Sequence, residues 1–154
     1  MKKSLLFSLL CLIISLSSCS DDNDPINLSD KVTGSYNGYA IAACQYFDGE
    51  VCEDQTVVIT AADDMNKVNV NYTSDSWGTF TFENATVVET SGSFVITGEG
   101  TTLMGMGDNV KEYKCELSGK IDASKLNPSF TFTVPAVMGG MTITFYPGEY
   151  SSAE

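Results

Sequence analysis

Lys111-Glu112-Tyr113-Lys114-Cys115-Glu116-Leu117-Ser118-Gly119-Lys120-Ile121 is the stretch from which the fold is read. Tyr113, Cys115, Leu117, Gly119 and Ile121 alternate with charged or small polar residues. Successive side chains of an extended chain point to opposite faces, so a period of two marks a half-buried strand. The same period extends both ways. Downstream, Ser129–Val134 carries Phe130, Phe132 and Val134, and Met141–Tyr146 carries Met141, Ile143 and Phe145. Upstream, Ser93–Thr101 carries Phe94 and Ile96, and Lys67–Tyr72 carries Val68, Val70 and Tyr72. Val51–Thr60 carries Val57 and Ile59, and Gly34–Tyr46 carries Tyr36, Ala40, Ala42, Cys44 and Tyr46. In Thr79–Glu89 the apolar parity changes between Phe80-Phe82 and Ala85-Val87. One inserted residue near Glu83-Asn84 would cause this, which predicts a β-bulge.

These segments are separated by turn chemistry: Asp48-Gly49, Asp63-Asp64 with Asn66, Ser74-Asp75-Ser76, a loop over Met104–Asn109, and Asn127-Pro128. Asp-Gly between alternating strands is a strong hairpin signal. No ten-residue stretch has helical periodicity. The expected class is all-β, an eight-stranded antiparallel up-and-down barrel, whose closure removes the unpaired edges of an open sheet. A two-sheet sandwich satisfies the same alternation.

The N-terminus is of another kind. Lys2 and Lys3 precede the apolar run Leu5–Ile14, too short to span a bilayer. No later run approaches the required length, so no transmembrane helix is expected after it. The run ends in Leu16-Ser17-Ser18-Cys19, which resembles the bacterial lipobox. The resemblance implies a signal peptide over 1–18, a Cys19 that becomes the acylated first residue, and a membrane contact through that anchor. Ser20-Asp21-Asp22-Asn23-Asp24 is similar to the acidic export signal of Bacteroidales lipoproteins, implying the cell-surface leaflet of the outer membrane. A solvated linker on a periplasm-facing lipoprotein has the same composition. Residues 19–31, with Pro25, read as a tether, and residues 32–150 as one domain.

From Cys19 onward, six lysines stand against all twenty acidic residues, with no arginine, a formal charge of −14. Such a surface repels phosphate backbones, which argues against nucleic-acid binding. Histidine is absent, which removes Ser-His-Asp and Cys-His devices and histidine metal sites. The acids sit mostly in turns and on polar strand faces, so no catalytic residue, metal site or cofactor is assigned and the chain is read as a non-enzyme. A carboxylate pair is the one hydrolytic device left.

Cys44, Cys52 and Cys115 remain beside Cys19 in an oxidising compartment. A Cys44–Cys52 disulfide is expected if the hairpin loop has three residues, Phe47 to Gly49. A two-residue loop sets Cys44 opposite Glu53 instead. Cys115 shares the parity of Leu117 and Ile121, as a buried thiol or a partner for Cys44.

The opening Val32-Thr33-Gly34-Ser35-Tyr36 resembles the Gly-x-Trp start of calycins, with tyrosine for tryptophan. Pro128–Phe145, with Asp54-Gln55-Thr56-Val57 and Gly78–Asn84, is similar to the calycin-like domain of Bacteroidales lipoproteins. The resemblance implies a lipocalin-like barrel over about Thr33–Tyr146 and, by analogy with calycins, a small apolar ligand in the barrel mouth. Tyr36, Tyr72, Trp77, Phe80, Tyr113 and Phe132 are the candidate ligand contacts. Packing of the same aromatics into a filled core is the competing reading. Trp77, in a turn, could stack on a sugar or fold back as a cap. Met104, Met106, Met138 and Met141 could form an adaptable apolar rim. With a filled core, the chain would instead be an accessory protein docking onto an outer-membrane partner.

Overall fold

The computed structural model describes residues 25–152. The expected signal peptide, Cys19 and the acidic run after it lie outside them. The chain opens with a short helix, α1 (Leu28–Val32), followed by eight strands: β1 (Gly34–Cys44), β2 (Phe47–Ala61), β3 (Lys67–Ser74), β4 (Gly78–Thr90), β5 (Ser93–Met104), β6 (Lys111–Asp122), β7 (Ser129–Val134) and β8 (Met141–Pro147). Each strand pairs antiparallel with the next, and β8 returns to β1 through Gly38–Ala43, so the sheet is a closed up-and-down barrel. Alternation thus ends in closure rather than in a sandwich.

The interior is filled. The rings of Tyr72 and Phe132 stack at 4.8 Å, and Phe132 also meets Phe80 at 5.5 Å and Phe82 at 5.8 Å. Tyr36 and Phe145 flank Phe130 at 5.7 Å each. Inward glycines do not leave holes. A Cβ on Gly119 would lie 2.7 Å from the Phe130 ring, and one on Gly100 would lie 2.6 Å from the Phe82 ring. Each glycine is the space that a neighbouring strand's ring occupies, which is how a small barrel reaches interior packing density.

The bulge near Glu83-Asn84 is present. Val68 pairs with Ala85 but Val70 with Phe82, and Thr81 pairs with Thr101 but Thr86 with Thr97. β4 therefore carries one extra residue against both neighbours, and Asn84 takes up the left-handed conformation at φ 56°. A second bulge lies in β2, where Gly38 faces Gln55 but Ala40 faces Cys52, with Asp54 at φ 55°.

Three expectations are corrected. The first hairpin turns at Gln45-Tyr46, not at Asp48-Gly49, which lies within β2. Ala42 pairs with Glu50 and Ala43 with Asp48, so Gly49, at φ 83°, is the extra residue of a bulge just after the turn. Asp-Gly suits either role, because both need a residue in the left-handed region. The Cys44–Cys52 bridge falls with that register. Cys44 faces Phe47 while Cys52 faces Ala40, four residues along β1. That is roughly 13 Å of strand, beyond the reach of a disulfide. Among the described residues Cys44, Cys52 and Cys115 are all free thiols. Finally, the last residues of the expected tether are ordered. α1 is capped by the Asn27 side chain, which accepts from Ser29 N at 3.1 Å, and is tied to the β2–β3 turn by Ser29 N donating to Met65 O at 2.9 Å. Val32 is fully buried and its carbonyl accepts from the Tyr36 hydroxyl at 2.6 Å, so α1 plugs one end of the barrel.

Candidate functional site

Among the described residues no α-helix covers the end opposite α1. It is built from the β1–β2 turn, the β3–β4 turn, the β5–β6 loop with its 3₁₀ turn at Gly107–Asn109, and the β7–β8 loop. Close strand pairing brings these loops together. Ser74 pairs with Gly78, and a Cβ on Gly78 would strike the Leu103 carbonyl, so the β3–β4 turn lies directly on β5. The β7–β8 loop turns through a left-handed run of Met138 (φ 50°), Gly139 and Gly140. Met138 is a longer side chain in a region that favours glycine, so tertiary contacts hold it there. One of them is Cys44, whose thiol lies 3.9 Å from the Met138 sulfur.

Between the loops lies a groove of about 560 Å³, lined by Trp77, Met104, Met106, Tyr113, Val137 and Met138, with Asp75, Asn109 and Lys111 as its charged and amide groups. Trp77 stacks on Phe47 with centroids 5.6 Å apart and planes 16° from parallel. That contact fixes the indole as one wall. Its Nε1 is buried without a hydrogen-bond partner among the described residues, and so are the hydroxyls of Ser74 and Thr102. Ser74 and Thr102 are each almost wholly buried and stand just below this wall, Ser74 beside the Trp77 turn and Thr102 two residues before Met104. Buried polar groups in folded proteins are nearly always satisfied by protein, water or ligand. Three such groups without a partner among the described residues gather at this end of the barrel.

Four of the six candidate ligand contacts belong elsewhere. Tyr36, Tyr72, Phe80 and Phe132 are core residues, and none lines the groove. The Tyr72 hydroxyl donates to Gln55 Oε1 at 2.8 Å. Burial pushes its pKa up to about 12; the nearby Ser74 hydroxyl opposes that slightly without meeting hydrogen-bond geometry, and Cys52 adds a smaller upward push. Burial raises Tyr36 to about 12 as well. Trp77 and Tyr113 do line the groove, with Met104, Met106 and Met138 of the expected rim. Met141 instead is a buried core residue. Ser74 and Thr102 were not anticipated. Their signal was parity, since Ser74 continues the inward face of Tyr72, and Thr102 that of Phe94 and Ile96. Among the described residues no three Cys, Asp or Glu side chains converge as metal ligands would.

A closed eight-stranded antiparallel barrel with one end stopped and the other grooved is the architecture of the calycin class of small barrels. The family model of the calycin-like beta-barrel domain matches residues 32–148, and the chain belongs to that family. A crystal structure of a candidate outer membrane protein from Bacteroides fragilis is 33% identical, superposes with a TM-score of 0.66, and covers 79% of this chain. The chain spans less than half of that protein, 46% of its length. No curated protein matches the chain.

Proposed function

We propose that the protein is a surface-exposed outer-membrane lipoprotein, anchored through Cys19, whose barrel is a non-catalytic binding module with its site in the mouth groove. The ligand is a small molecule with an apolar or sugar-ring face and oxygen acceptors. The carrying observation is the groove bounded by Trp77, Tyr113 and methionines, above the unpartnered Trp77 Nε1 and the hydroxyls of Ser74 and Thr102. Flat indole and flexible thioether surfaces accept apolar faces and sugar rings alike. An indole N–H can only donate, so a ligand that shifts the indole far enough to reach its buried N–H must accept. The packed interior favours the groove over the barrel lumen as the site. The lipobox-like residues support the anchor, and the likeness to a candidate outer membrane protein supports the address.

Trp77 is the sole tryptophan, so its emission reports the site directly. Titration with a panel of lipids and neutral glycans is expected to find a compound that shifts that emission and raises the melting temperature. Trp77→Ala is expected to weaken it by about thirtyfold, the roughly 2 kcal/mol typical of a central aromatic contact. A panel that moves neither signal removes the proposal.

One observation favours a second reading, an accessory protein docking on an outer-membrane partner. The same end carries exposed apolar side chains, Met106 at 88% and Tyr46 at 74%, with Leu103 and Val110 at 50% each. Cross-linking from position 106 in intact cells should then trap one reproducible partner, and a ligand-saturated groove should leave that product unchanged.

A further inference from the structure

We infer that the protein stands end-on upon its own membrane, with the α1 end resting in the lipid headgroups and the mouth groove pointing away. This rests on the proposed acylation of Cys19. Pro25 and Ile26 lead directly into α1, so the path from Cys19 enters at the plugged end. The six residues from Cys19 to Asp24 can reach at most about 20 Å. β6 has 12 residues. At about 3.3 Å per residue and the usual barrel tilt, the two ends are roughly 30 Å apart. A tether of that length holds the α1 end close to the bilayer and is too short for the barrel to stand inverted on its mouth.

The α1 end is also shaped for that contact. Ile26 is 65% exposed, Leu126 72% and Met65 46%. All three adjoin α1. Ile26 precedes it, the Met65 carbonyl accepts from Ser29 N, and Leu126 follows Lys125, whose ammonium donates to Thr33 O at 3.0 Å. Leu126 is presented by an ordered loop. Its N–H donates to Asp122 Oδ1 at 3.1 Å, Ser124 Oγ to the same oxygen at 2.8 Å, and Asn127 Nδ2 to Asp122 Oδ2 at 2.9 Å. Those bonds, the Asn127 and Ser124 side chains first, hold the Asp122 carboxyl below its usual pKa. Charge agrees. Lys31, Lys67, Lys120 and Lys125 lie at this end against Asp30, Asp63, Asp64, Glu89 and Asp122, and the tether adds Asp21, Asp22 and Asp24, so this end is less acidic than the rest of the barrel. The other strands and loops carry most of the negative charge, which anionic headgroups would repel. Exposed aliphatic side chains beside lysines are the composition that settles into a headgroup layer, where the lysine stems lie along apolar surface and the ammonium stays in water.

The test uses the full acylated protein, its acyl groups verified by intact mass, in phosphatidylethanolamine–phosphatidylglycerol vesicles with brominated acyl chains. Native Trp77 reports the mouth. Leu126→Trp in a Trp77→Phe background reports the α1 end, and Ile26→Trp in the same background serves if the first variant does not fold. The indole at the α1 end is expected to lose roughly half its emission relative to unbrominated vesicles, and Trp77 almost none. Quenching of Trp77 instead, or no quenching at either end of an acylated protein, overturns the orientation alone. A mass showing no acyl chain on Cys19 overturns the anchor, and the orientation with it.

Discussion

Cys115 shows what a single position in this barrel is asked to do. Its parity turns the thiol into the wall, where burial pushes its pKa up to about 12. A thiol needs its thiolate to react, so Cys115 is expected to resist a maleimide in the native protein and to label fully once the chain is unfolded. Labelling followed by peptide mass analysis reads this directly. Phe132 is the position where the core concentrates, with three aromatic neighbours and no solvent exposure. Phe132→Ala is expected to cost about 3–5 kcal/mol in urea unfolding, from lost transfer energy and the cavity left behind. At Gly119 the error would be of the opposite kind. A methyl there meets the Phe130 ring at 2.7 Å, and Gly119→Ala is expected to cost about 1–3 kcal/mol by overpacking.

At the scale of elements, β4 is the informative case. Its apolar residues change parity midway, and the extra residue that permits this is Asn84 in the left-handed region. Deleting Asn84 would remove the bulge and leave Phe80, Phe82, Ala85 and Val87 in one unbroken two-residue period, all still inward. The expected result is a chain that keeps a cooperative thermal transition, measured by near-ultraviolet circular dichroism, as Asn84→Gly also should; loss of that transition in the deletion would show that the bulge itself is needed for closure. This bulge was legible because it breaks a pattern. The bulge at Gly49 was not, since Asp-Gly serves a turn and a bulge equally well, and the cysteine pairing depended on that choice. α1 was also hidden. Five residues cannot display a helical period, and its helicity comes from the Asn27 cap and contacts with the barrel rather than from propensity.

The whole molecule is an acidic barrel with dry, neutral titratable groups inside. Tyr36, Tyr72 and Cys115 are all raised to about 12 by burial. Between about pH 9 and 12 the unfolded chain gives up these protons and the folded one keeps them, so stability must fall as pH rises. Their contribution is complete below the ordinary thiol and phenol pKa values and is lost as pH passes through the raised ones. Melting temperatures are expected to drop steeply over that window. In Tyr36→Phe, which leaves Tyr72 and Cys115 in place, the drop should be shallower.

Alternation, turn chemistry and the missing histidine were enough to establish an all-β chain without the common histidine-based catalytic devices, because strand faces and side-chain inventories are local properties. Closure of β8 onto β1, the filling of glycine spaces by neighbouring rings and the gathering of Trp77, Tyr113 and Met138 at one end were not local. They depend on which strands lie side by side and with what stagger, and burial decides that only when all eight are in place.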